Sequence, residues 1–427
     1  MTPRDGRLRT VLTLLTAWSA LAGAALVGAA PASGMEGTDA GTAAAAKAPA
    51  DKAFADKALA PGITYKELDV PAARGVARAH VLSVDLSNRH VRVDLLHSAA
   101  VASRAAVSRL AQAQGAVAGV NGDFFDITET QHPGVEATGA TVGPAIANGR
   151  VLKAAVPDGQ RFGPALPPGT TTKDVLGVGL DGRARMDSLA LDGSVRSSRG
   201  RWALGGLNQY ALPQGSIGAF TSAWGGVSRK RATCGTDIDR AAPCGTDTYE
   251  VTVRHGHVVS VAGTPGSGPI AFGTTVLVGR EAGAQRLRGL VKGQAVRIQH
   301  WLVAAGTRIR YRFAIGGYPV LTHGQPLPGL NDTTSAVRTA VGIANKGRRL
   351  LLLALDGAPA FRTGLTIAEV AHTMRTLGSV DAFSLDGGGS TTMVARKPGA
   401  GAVSVLNHPT DGAERPVPNG IGVFSRG

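Results

Sequence analysis

The sequence predicts an α/β (α+β) protein with a mixed sheet core, a C-terminal parallel βαβ unit and a β-rich middle region. The apolar run from Leu350 to Leu355 is typical of a strand buried on both faces, and a helical pattern and a second apolar strand follow it. Short apolar segments separated by Gly turns predict the β-rich middle, from about residue 150 to residue 312. With 427 residues, 43% apolar and 18% charged, the chain can bury at least one large core.

The first 32 residues are typical of an export signal. Three arginines precede an apolar run from Val11 to Val27, and small residues up to Ala32 offer a cleavage site. An uncleaved membrane anchor is the alternative, because the run approaches the ~20 residues that span a bilayer. Residues 33–61, rich in Ala, Lys and Asp, predict a solvated linker. The folded domain is therefore expected over residues 62–427 of a secreted protein.

The domain begins with strand patterns and one short helix. HVLSVDLSNRHVRVDLL (80–96) alternates apolar and polar residues around a Ser-Asn-Arg turn, which predicts a β-hairpin. A helix is expected over 104–112, and AVAGV (116–120) predicts a buried strand.

That strand stops at NGDFFD, which makes Asn121 and Gly122 candidate ligand-binding residues and Asp123 a candidate catalytic carboxylate. A tight Asn-Gly turn with its phenylalanines in the core is the simpler alternative.

Two cysteines occur in the chain, Cys234 and Cys244. In an exported protein a pair this close predicts one disulfide that closes a short surface loop. A metal site would need further Cys or His residues nearby, and the surrounding sequence has none.

The last hundred residues carry the strongest pattern. Thr366 and Glu369 have the spacing of a capping box, apolar residues follow at helical spacing, and Gly378 ends the helix. Strand, helix and strand with short connections predict a βαβ unit, whose two strands end at Asp356 and Asp386. Because ligands of parallel sheets gather at the carboxyl ends of the strands, both carboxylates are expected to face one crevice.

The segment after Asp386 combines Gly387, Gly388 and Gly389 with the hydroxyls of Ser390 and Thr391. Successive glycines can point several backbone N–H groups at one anionic or hydroxylated ligand. A plain glycine turn with a Ser or Thr cap is the alternative. The segment lacks the patterns of a serine-hydrolase elbow and of a nucleotide-binding loop, which argues against Ser390 as a nucleophile.

Arg338 precedes an apolar segment and would need an anionic partner if buried, which makes it a candidate for binding a substrate phosphate. A solvated arginine at a strand edge is the alternative.

The formal charge is +15, of which residues 1–60 contribute little, since they carry six basic and five acidic residues. This charge favours anionic partners such as sugar phosphates, glycans or phosphate-bearing cell-wall polymers. Aromatic residues make up only 4% of the chain, which argues against the stacking surfaces of nucleic-acid binders.

The ordered set NGDFFD, IGGYPVL, RTAVGI, LDG, LDGGGSTTM and ERPVPNGIGVF resembles the phosphodiester glycosidase family. The family's residues carry over at Asn121, Gly122, Phe124 and Phe125, at Arg338 and Gly342, at Asp356 and Gly357, and at Asp386 through Thr391. The family often has Arg after the first Asp-Gly, where this chain has Ala358. The resemblance implies hydrolysis of the glycosidic bond of a sugar 1-phosphodiester of the N-acetylglucosamine type.

Three hypotheses follow. In the first, a glycosidase, Asp386 and Asp356 lie near the sugar C1, and Arg338 with the glycine amides holds the phosphate. In the second, a phosphodiesterase, Asp123, Asp356 and Asp386 bind Mg²⁺ or Ca²⁺. In the third, the protein binds a wall polymer without turnover.

Overall fold

The computed structural model describes residues 56–426, and strands dominate these residues. Three α-helices lie among them, α1 (Val107–Gln114), α2 (Ala282–Arg288) and α3 (Ile367–Thr376). The strands described are β1 (Lys57–Ala60), β2 (Ile63–Ala72), β3 (Gly75–Asp85), β4 (Val91–His97), β5 (Ala118–Asn121), β6 (Ala145–Ala147), β7 (Arg150–Lys153), β8 (Asp174–Gly179), β9 (Ala184–Ser197), β10 (Gly200–Ala203), β11 (Gly206–Leu207), β12 (Ile217–Phe220), β13 (Thr248–Arg254), β14 (His257–Ala262), β15 (Thr274–Arg280), β16 (Val296–Ala304), β17 (Tyr311–Gly316), β18 (Tyr318–Thr322), β19 (Gln325–Pro326), β20 (Thr339–Ala344), β21 (Arg349–Leu355), β22 (Asp381–Leu385), β23 (Met393–Ala395), β24 (Ser404–Val405) and β25 (Asn419–Ser425).

The strands form four sheets. Sheet I has the order β1-β2-β3-β21-β20-β22-β18-β19, and sheet II has the order β10-β9-β8-β17-β6-β7 with β16 also paired to β9. Sheet III has the order β11-β12-β15-β13-β14, and sheet IV has the order β24-β23-β5-β25-β4. Among the pairs described, β11 and β12 run parallel, and the rest are antiparallel. The fold is therefore mixed, with few helices and several antiparallel sheets.

The predicted parallel βαβ unit is not confirmed as an adjacent pair of strands. β21 and β22 do flank helix α3 in sequence, but β20 lies between them and pairs antiparallel with both. The cause is the short turn Asn345–Gly347, which folds β20 back onto β21 before the chain reaches α3. Asp356 and Asp386 consequently lie beyond the ends of two strands that do not touch each other.

The predicted β-hairpin around Asn88 is wrong. β3 pairs with β2 and β21 in sheet I, whereas β4 pairs with β25 in sheet IV. The alternating pattern correctly predicts two strands, but a local pattern does not determine which partners they choose. The turn at Asn88 therefore carries the chain from one sheet to another.

Two apolar layers pack against the two faces of sheet I. One layer joins sheet I to sheets II and IV through residues such as Leu352, Val120 and Phe313. The other joins sheet I to α3, through residues such as Val370 and Met374. Helix α3 begins as predicted, since the Thr366 hydroxyl accepts from the Glu369 N–H and the Glu369 carboxylate accepts from the Thr366 N–H.

The predicted disulfide between Cys234 and Cys244 is present. The signal segment over residues 1–32 lies outside the described residues, and so does most of the predicted linker, whose residues Lys57–Ala60 form β1. Within residues 56–426, no helix has the length and apolar character needed to cross a membrane.

Candidate functional site

Backbone hydrogen bonds bring two of the sequence motifs together where sheets I and IV meet. Asn121 ends β5 of sheet IV, and Asp386 follows β22 of sheet I. The Asp386 N–H donates to the Gly122 carbonyl at 2.9 Å, and the Asn121 N–H donates to the Thr392 carbonyl at 3.1 Å. The NGDFFD motif and the glycine motif are therefore two halves of one site.

The Asn121 side chain fastens these halves together. Its amide donates to the Asp386 carbonyl at 2.7 Å, and its oxygen accepts from the Thr339 hydroxyl and the Thr392 N–H at 2.9 and 3.1 Å. The residue is fully buried. Substrate binding by Asn121 stays a prediction, and these contacts show that its side chain holds the backbone at Asp386 and Thr392.

The glycine turn is shaped by close packing. Gly388 has a φ of +59°, and a Cβ on Gly389 would overlap Arg415 and Asp411. The N–H of Gly387 donates to Asp386 Oδ1 at 3.0 Å, and the N–H of Gly388 donates to the Val337 carbonyl at 2.8 Å. These two amides therefore already have protein acceptors, and the predicted amide cradle for a phosphate loses two of its donors.

Asp386 lies half-buried at the end of β22. Burial raises the pKa of Asp386 to about 7; the nearby Asp123 acts in the same direction, while Ser390, Arg415 and the Gly387 amide oppose the shift. The Ser390 hydroxyl is buried and close to this carboxylate, without a hydrogen bond of good geometry to any described residue. Asp386 can therefore hold or release a proton near neutral pH.

Asp123 lies deeper, at 2% exposure. Its Oδ2 accepts from the Gly143 N–H at 2.7 Å, and its Oδ1 has no hydrogen-bond partner among residues 56–426. Burial raises the pKa of Asp123 to about 6, although Lys153, the Gly143 amide and Arg161 favour the ionised form. A side chain on Gly316 would collide with this carboxylate, since a Cβ there would lie 2.5 Å from Oδ2.

Lys153 is a fully buried amine behind Asp123. Its Nζ donates to the carbonyls of Val142, Gly143 and Ala154. Burial lowers the pKa of Lys153 to about 7, and Asp123 opposes this shift. Sequence reasoning missed this residue, and its one sequence signal is a lysine at the end of a strand pattern, RVLK, which is common on protein surfaces.

Arg161 and Tyr318 form an aromatic and cationic wall beside the two aspartates. The Arg161 guanidinium lies 4.6 Å from the centre of the Phe124 ring and 5.3 Å from that of Tyr318, and the two rings are stacked at 5.7 Å. Burial lowers the pKa of Arg161, while Tyr318, Asp123 and Asp386 act in the opposite direction. Arg161 Nη2 is buried without a partner among the described residues, and the buried Tyr318 hydroxyl lies close to Ser384 without a hydrogen bond of good geometry. Two donors are therefore available to an anionic ligand.

Arg338 is a second cation near Tyr318. Its Nε donates to the Leu365 carbonyl at 3.0 Å and its Nη2 to the Thr334 carbonyl at 2.7 Å. Burial lowers the pKa of Arg338, and Tyr318 opposes the shift. Arg338 forms no ion pair with a carboxylate in the described part of the chain.

Asp356 is hydrogen-bonded to two histidines. Its Oδ2 is bonded to His80 Nε2 at 3.1 Å and to His408 Nδ1 at 2.9 Å, and its Oδ1 accepts from the Ala358 N–H at 2.7 Å. Burial alone would raise the pKa of Asp356, but these hydrogen bonds hold it well below its usual range. Asp356 is 2% exposed, whereas the His408 side chain is 75% exposed. Asp356 therefore lies beneath His408, at the end of a strand that β20 separates from β22.

The three aspartates do not fit a single cation site. In the described part of the chain, the one set of three His, Cys, Asp or Glu ligand atoms that lie within 4.8 Å of one another belongs to His132, Cys234 and Cys244. Both cysteines of that set are in the disulfide. The oxygens of Asp123, Asp356 and Asp386 do not converge in this way, as Mg²⁺ or Ca²⁺ would require.

Fold and site together define a class of β-rich proteins in which a buried and a half-buried carboxyl group lie beside guanidinium groups. The sequence profile of one such family, the phosphodiester glycosidases, matches residues 247–424. This part of the chain is therefore similar to that family, as the motifs indicated. It carries Tyr318, Arg338 and Asp386, whereas Asp123 and Arg161 come from the preceding part of the chain.

Similar folds occur in solved structures, while no curated protein sequence matches the chain. A hypothetical protein from Synechocystis has a TM-score of 0.65 at 18% identity, over 86% of this chain and 62% of that one. A candidate exported protein from Burkholderia pseudomallei has a TM-score of 0.61 at 22% identity, over 82% of this chain and 74% of that one. These two likenesses show a shared fold.

A third structure is the catalytic domain of zebrafish N-acetylglucosamine-1-phosphodiester α-N-acetylglucosaminidase, auto-inhibited by its pro-peptide. It has a TM-score of 0.41 at 14% identity, over 90% of this chain and 86% of that one, which is too low to support an argument.

Proposed function

We propose that the protein is an exported glycoside hydrolase that cleaves the C1–O bond of a sugar 1-phosphodiester and releases free sugar and a phosphomonoester. The observation that carries this proposal is the pairing of two carboxyl groups, Asp386 and Asp123, with the guanidinium groups around Tyr318. The family match over residues 247–424 supports the same chemistry. N-acetylglucosamine is the sugar that the family resemblance favours.

The reaction makes different demands on the two ends of the scissile bond. The leaving phosphate is anionic near neutral pH and needs little protonation, whereas positive charge develops on the sugar ring. Guanidinium groups can hold the phosphate oxygens, and a carboxylate can stabilise the ring or activate water. Arg161 and Arg338 suit the first role, because both lie beside Tyr318 at the site.

Asp386 and Asp123 suit different tasks at the sugar ring, because their carboxyl groups are buried to different extents. Asp386 is half-buried, and its raised pKa lets it take a proton from water as the water oxygen bonds to C1. Asp123 is buried beside Lys153, which favours its negative charge. We assign Asp386 as the base and Asp123 as the carboxylate that stabilises the ring. Asp356 then positions His408 instead of contacting the sugar.

Export is part of the proposal. The disulfide between Cys234 and Cys244 is typical of proteins that mature in oxidising compartments. The similar Burkholderia protein is described as a candidate exported protein, and the first 32 residues of this chain have the pattern of a signal peptide.

Hydrolysis of a synthetic N-acetylglucosamine 1-phosphodiester in ¹⁸O-labelled water tests the proposal. Cleavage of the C–O bond places the label in the free sugar, which is the expected result. Label in a phosphate product, with sugar 1-phosphate released, would indicate a phosphodiesterase. Binding without products would indicate the polymer-binding protein of the third hypothesis.

A further inference from the structure

A row of arginines crosses three neighbouring strands of sheet II. Arg201 of β10 lies directly opposite Arg196 of β9, and Arg196 lies directly opposite Arg297 of β16 on its other edge. Directly opposite residues of antiparallel strands point to the same face, with Cβ atoms about 4.5–5.5 Å apart. All three residues are exposed, whereas the next residues along each strand, Trp202, Val195 and Ile298, pack against the core. The strand register therefore places three guanidinium groups side by side in solvent.

Nothing in the described part of the chain neutralises this row. None of the three arginines forms an ion pair there. The acidic residue of this face is Asp192, four positions from Arg196 along β9, which corresponds to about 13 Å. Like charges directly opposite each other destabilise a sheet, so a bound anion would relieve a cost that the fold otherwise carries.

A cavity of about 690 Å³ lies beside the row, between sheets II and III. Arg196 and Arg297 contribute to its lining with the hydroxyl residues Ser197, Ser198 and Thr275, and the core-facing residues Val253, Val296 and Ile298 line its apolar side. No acidic residue of the described chain lines it. Farther along the same face Trp301 is 46% exposed, and its ring offers an apolar platform to a sugar or polyol unit.

We propose that this arginine row is a second binding site, which takes a polymer of polyol or sugar units joined by phosphodiesters. Guanidinium groups bind phosphate in a two-pronged manner, and three of them at regular spacing suit phosphates that repeat along a chain. An isolated phosphate could occupy the cavity but would leave part of the row unneutralised. The site shares no residue with the Asp386 site, so the proposal does not depend on which bond that site cleaves. The arginine row would hold the polymer on the protein by several simultaneous contacts.

The test is calorimetric titration of a synthetic poly(glycerol phosphate) into the full chain. The row variant carries Arg196→Gln, Arg201→Gln and Arg297→Gln. The matched control carries Arg74→Gln, Arg109→Gln and Arg348→Gln, which removes the same charge from exposed arginines on other elements. We expect a loss of affinity on the order of tenfold or more in the row variant and about twofold or less in the control. Poly(glycerol phosphate) should also raise the melting temperature of the unmodified protein more than that of the row variant.

Equal losses in the two variants would overturn the proposal, because they would reflect the overall charge of the protein. Duplex DNA or polyglutamate bound as tightly as poly(glycerol phosphate), with the same dependence on the row, would overturn the assignment of the ligand. The central substitution Arg196→Gln alone serves as the test if the triple variant does not fold, with an expected loss in the same direction. Turnover of a small sugar 1-phosphodiester should be unchanged in the row variant, since the row is separate from the Asp386 site.

Discussion

Lys153 and Asp123 act on each other through one peptide group. The Gly143 N–H donates to the Asp123 carboxylate at 2.7 Å, and the carbonyl of the same peptide group, that of Val142, accepts from the Lys153 ammonium at 3.2 Å. The peptide dipole is therefore aligned between a cation and an anion, and both charges gain from it. Burial works against both, because it raises the pKa of Asp123 and lowers that of Lys153.

Replacing Lys153 by Met should move the acid limb of the activity profile to higher pH. Without the ammonium, burial raises the pKa of Asp123 with less opposition, so the carboxylate ionises later as pH rises. The measurement is kcat/KM for the sugar 1-phosphodiester against pH, with Lys153→Arg expected to shift less and exposed Lys173→Met expected not to shift. A uniformly lower rate with an unchanged midpoint would assign Lys153 to the scaffold alone.

Asp386→Asn should lower kcat by about 10²–10⁴-fold, as expected for the loss of an acid or base group. Its effect on stability should be small or favourable, since the carboxylate is costly to bury in its charged form. The control is Asp332→Asn, the same chemical change on an exposed loop. Near-normal turnover on a cleavable phosphodiester by a folded Asp386→Asn protein would refute the assignment.

Arg338→Lys separates ligand binding from support of the fold. Lysine keeps the charge but cannot donate to the Leu365 and Thr334 carbonyls and also grip a phosphate. We expect a loss of about 10–100-fold in kcat/KM on the sugar 1-phosphodiester, the equivalent of one charge-assisted hydrogen bond. A neutral aryl glycoside of the same sugar should lose much less. Equal losses on both substrates, with a lower melting temperature, would show that Arg338 mainly holds the scaffold.

The residues of the candidate site differ in how visible they are in the sequence. Asp386 and Asp123 stand out because each follows an apolar strand next to glycine. Arg161 and Lys153 lie in ordinary polar contexts, and what makes them unusual is burial by strands from other parts of the chain. A local pattern carries no information about such burial, so the sequence could single out the two carboxylates and Arg338 as candidates, but not Arg161 or Lys153.

At the scale of elements, strands were easier to predict than their pairing. Helix α3 and the runs that became β21 and β22 were correctly recognised, because burial and capping leave local patterns. The insertion of β20 between those strands depends on a turn of three residues. It separates Asp356 from Asp386 by an extra strand, about 5 Å.

The disulfide loop supports the aromatic and cationic wall from behind. Arg240 lies inside the loop, and its Nη1 donates to the Arg161 carbonyl at 2.6 Å. The Gln160 side chain also donates to the Asp239 carbonyl at 3.3 Å. The loop therefore connects the disulfide directly to the backbone of the residue that we propose for phosphate binding.

Removing the disulfide should weaken both the fold and substrate binding. A protein with Cys234→Ser and Cys244→Ser should lose roughly 2–3 kcal/mol of unfolding free energy, the value for a short loop. Its KM should rise, because Arg161 loses support. Arg240→Gln is the matched variant, with a similar rise in KM and a smaller loss of stability in thermal melting. An unchanged KM in both variants would show that the loop does not position Arg161.

At the scale of the whole molecule, the site exists only when the chain is folded. Its groups come from sheets I, II and IV and from the segment around Arg161, and the two aspartates are 263 positions apart in the sequence. The charges of the site are consequently linked to global unfolding. This linkage makes stability a reporter of the protonation states within the site.

Asp386 and Asp356 should change the pH dependence of unfolding in opposite directions. The folded-state pKa of Asp386 is raised to about 7, so its contribution to stability is present below the unfolded pKa of about 4 and is lost as pH rises through 7. The folded-state pKa of Asp356 is lowered, so its contribution is present above the unfolded pKa and is lost as the solution becomes acidic.

Urea unfolding from pH 4 to pH 8 should therefore show Asp386→Asn gaining stability relative to the unmodified protein as pH rises. Over the lower part of the same range, Asp356→Asn should lose stability relative to the unmodified protein as pH rises, because the unmodified protein then gains the contribution of the ionised Asp356. Exposed Asp332→Asn should run parallel to the unmodified protein. Parallel curves for Asp386→Asn would mean that this carboxyl group titrates in the folded protein as it does in the unfolded chain, and the proton-accepting role assigned to it would lose its physical basis.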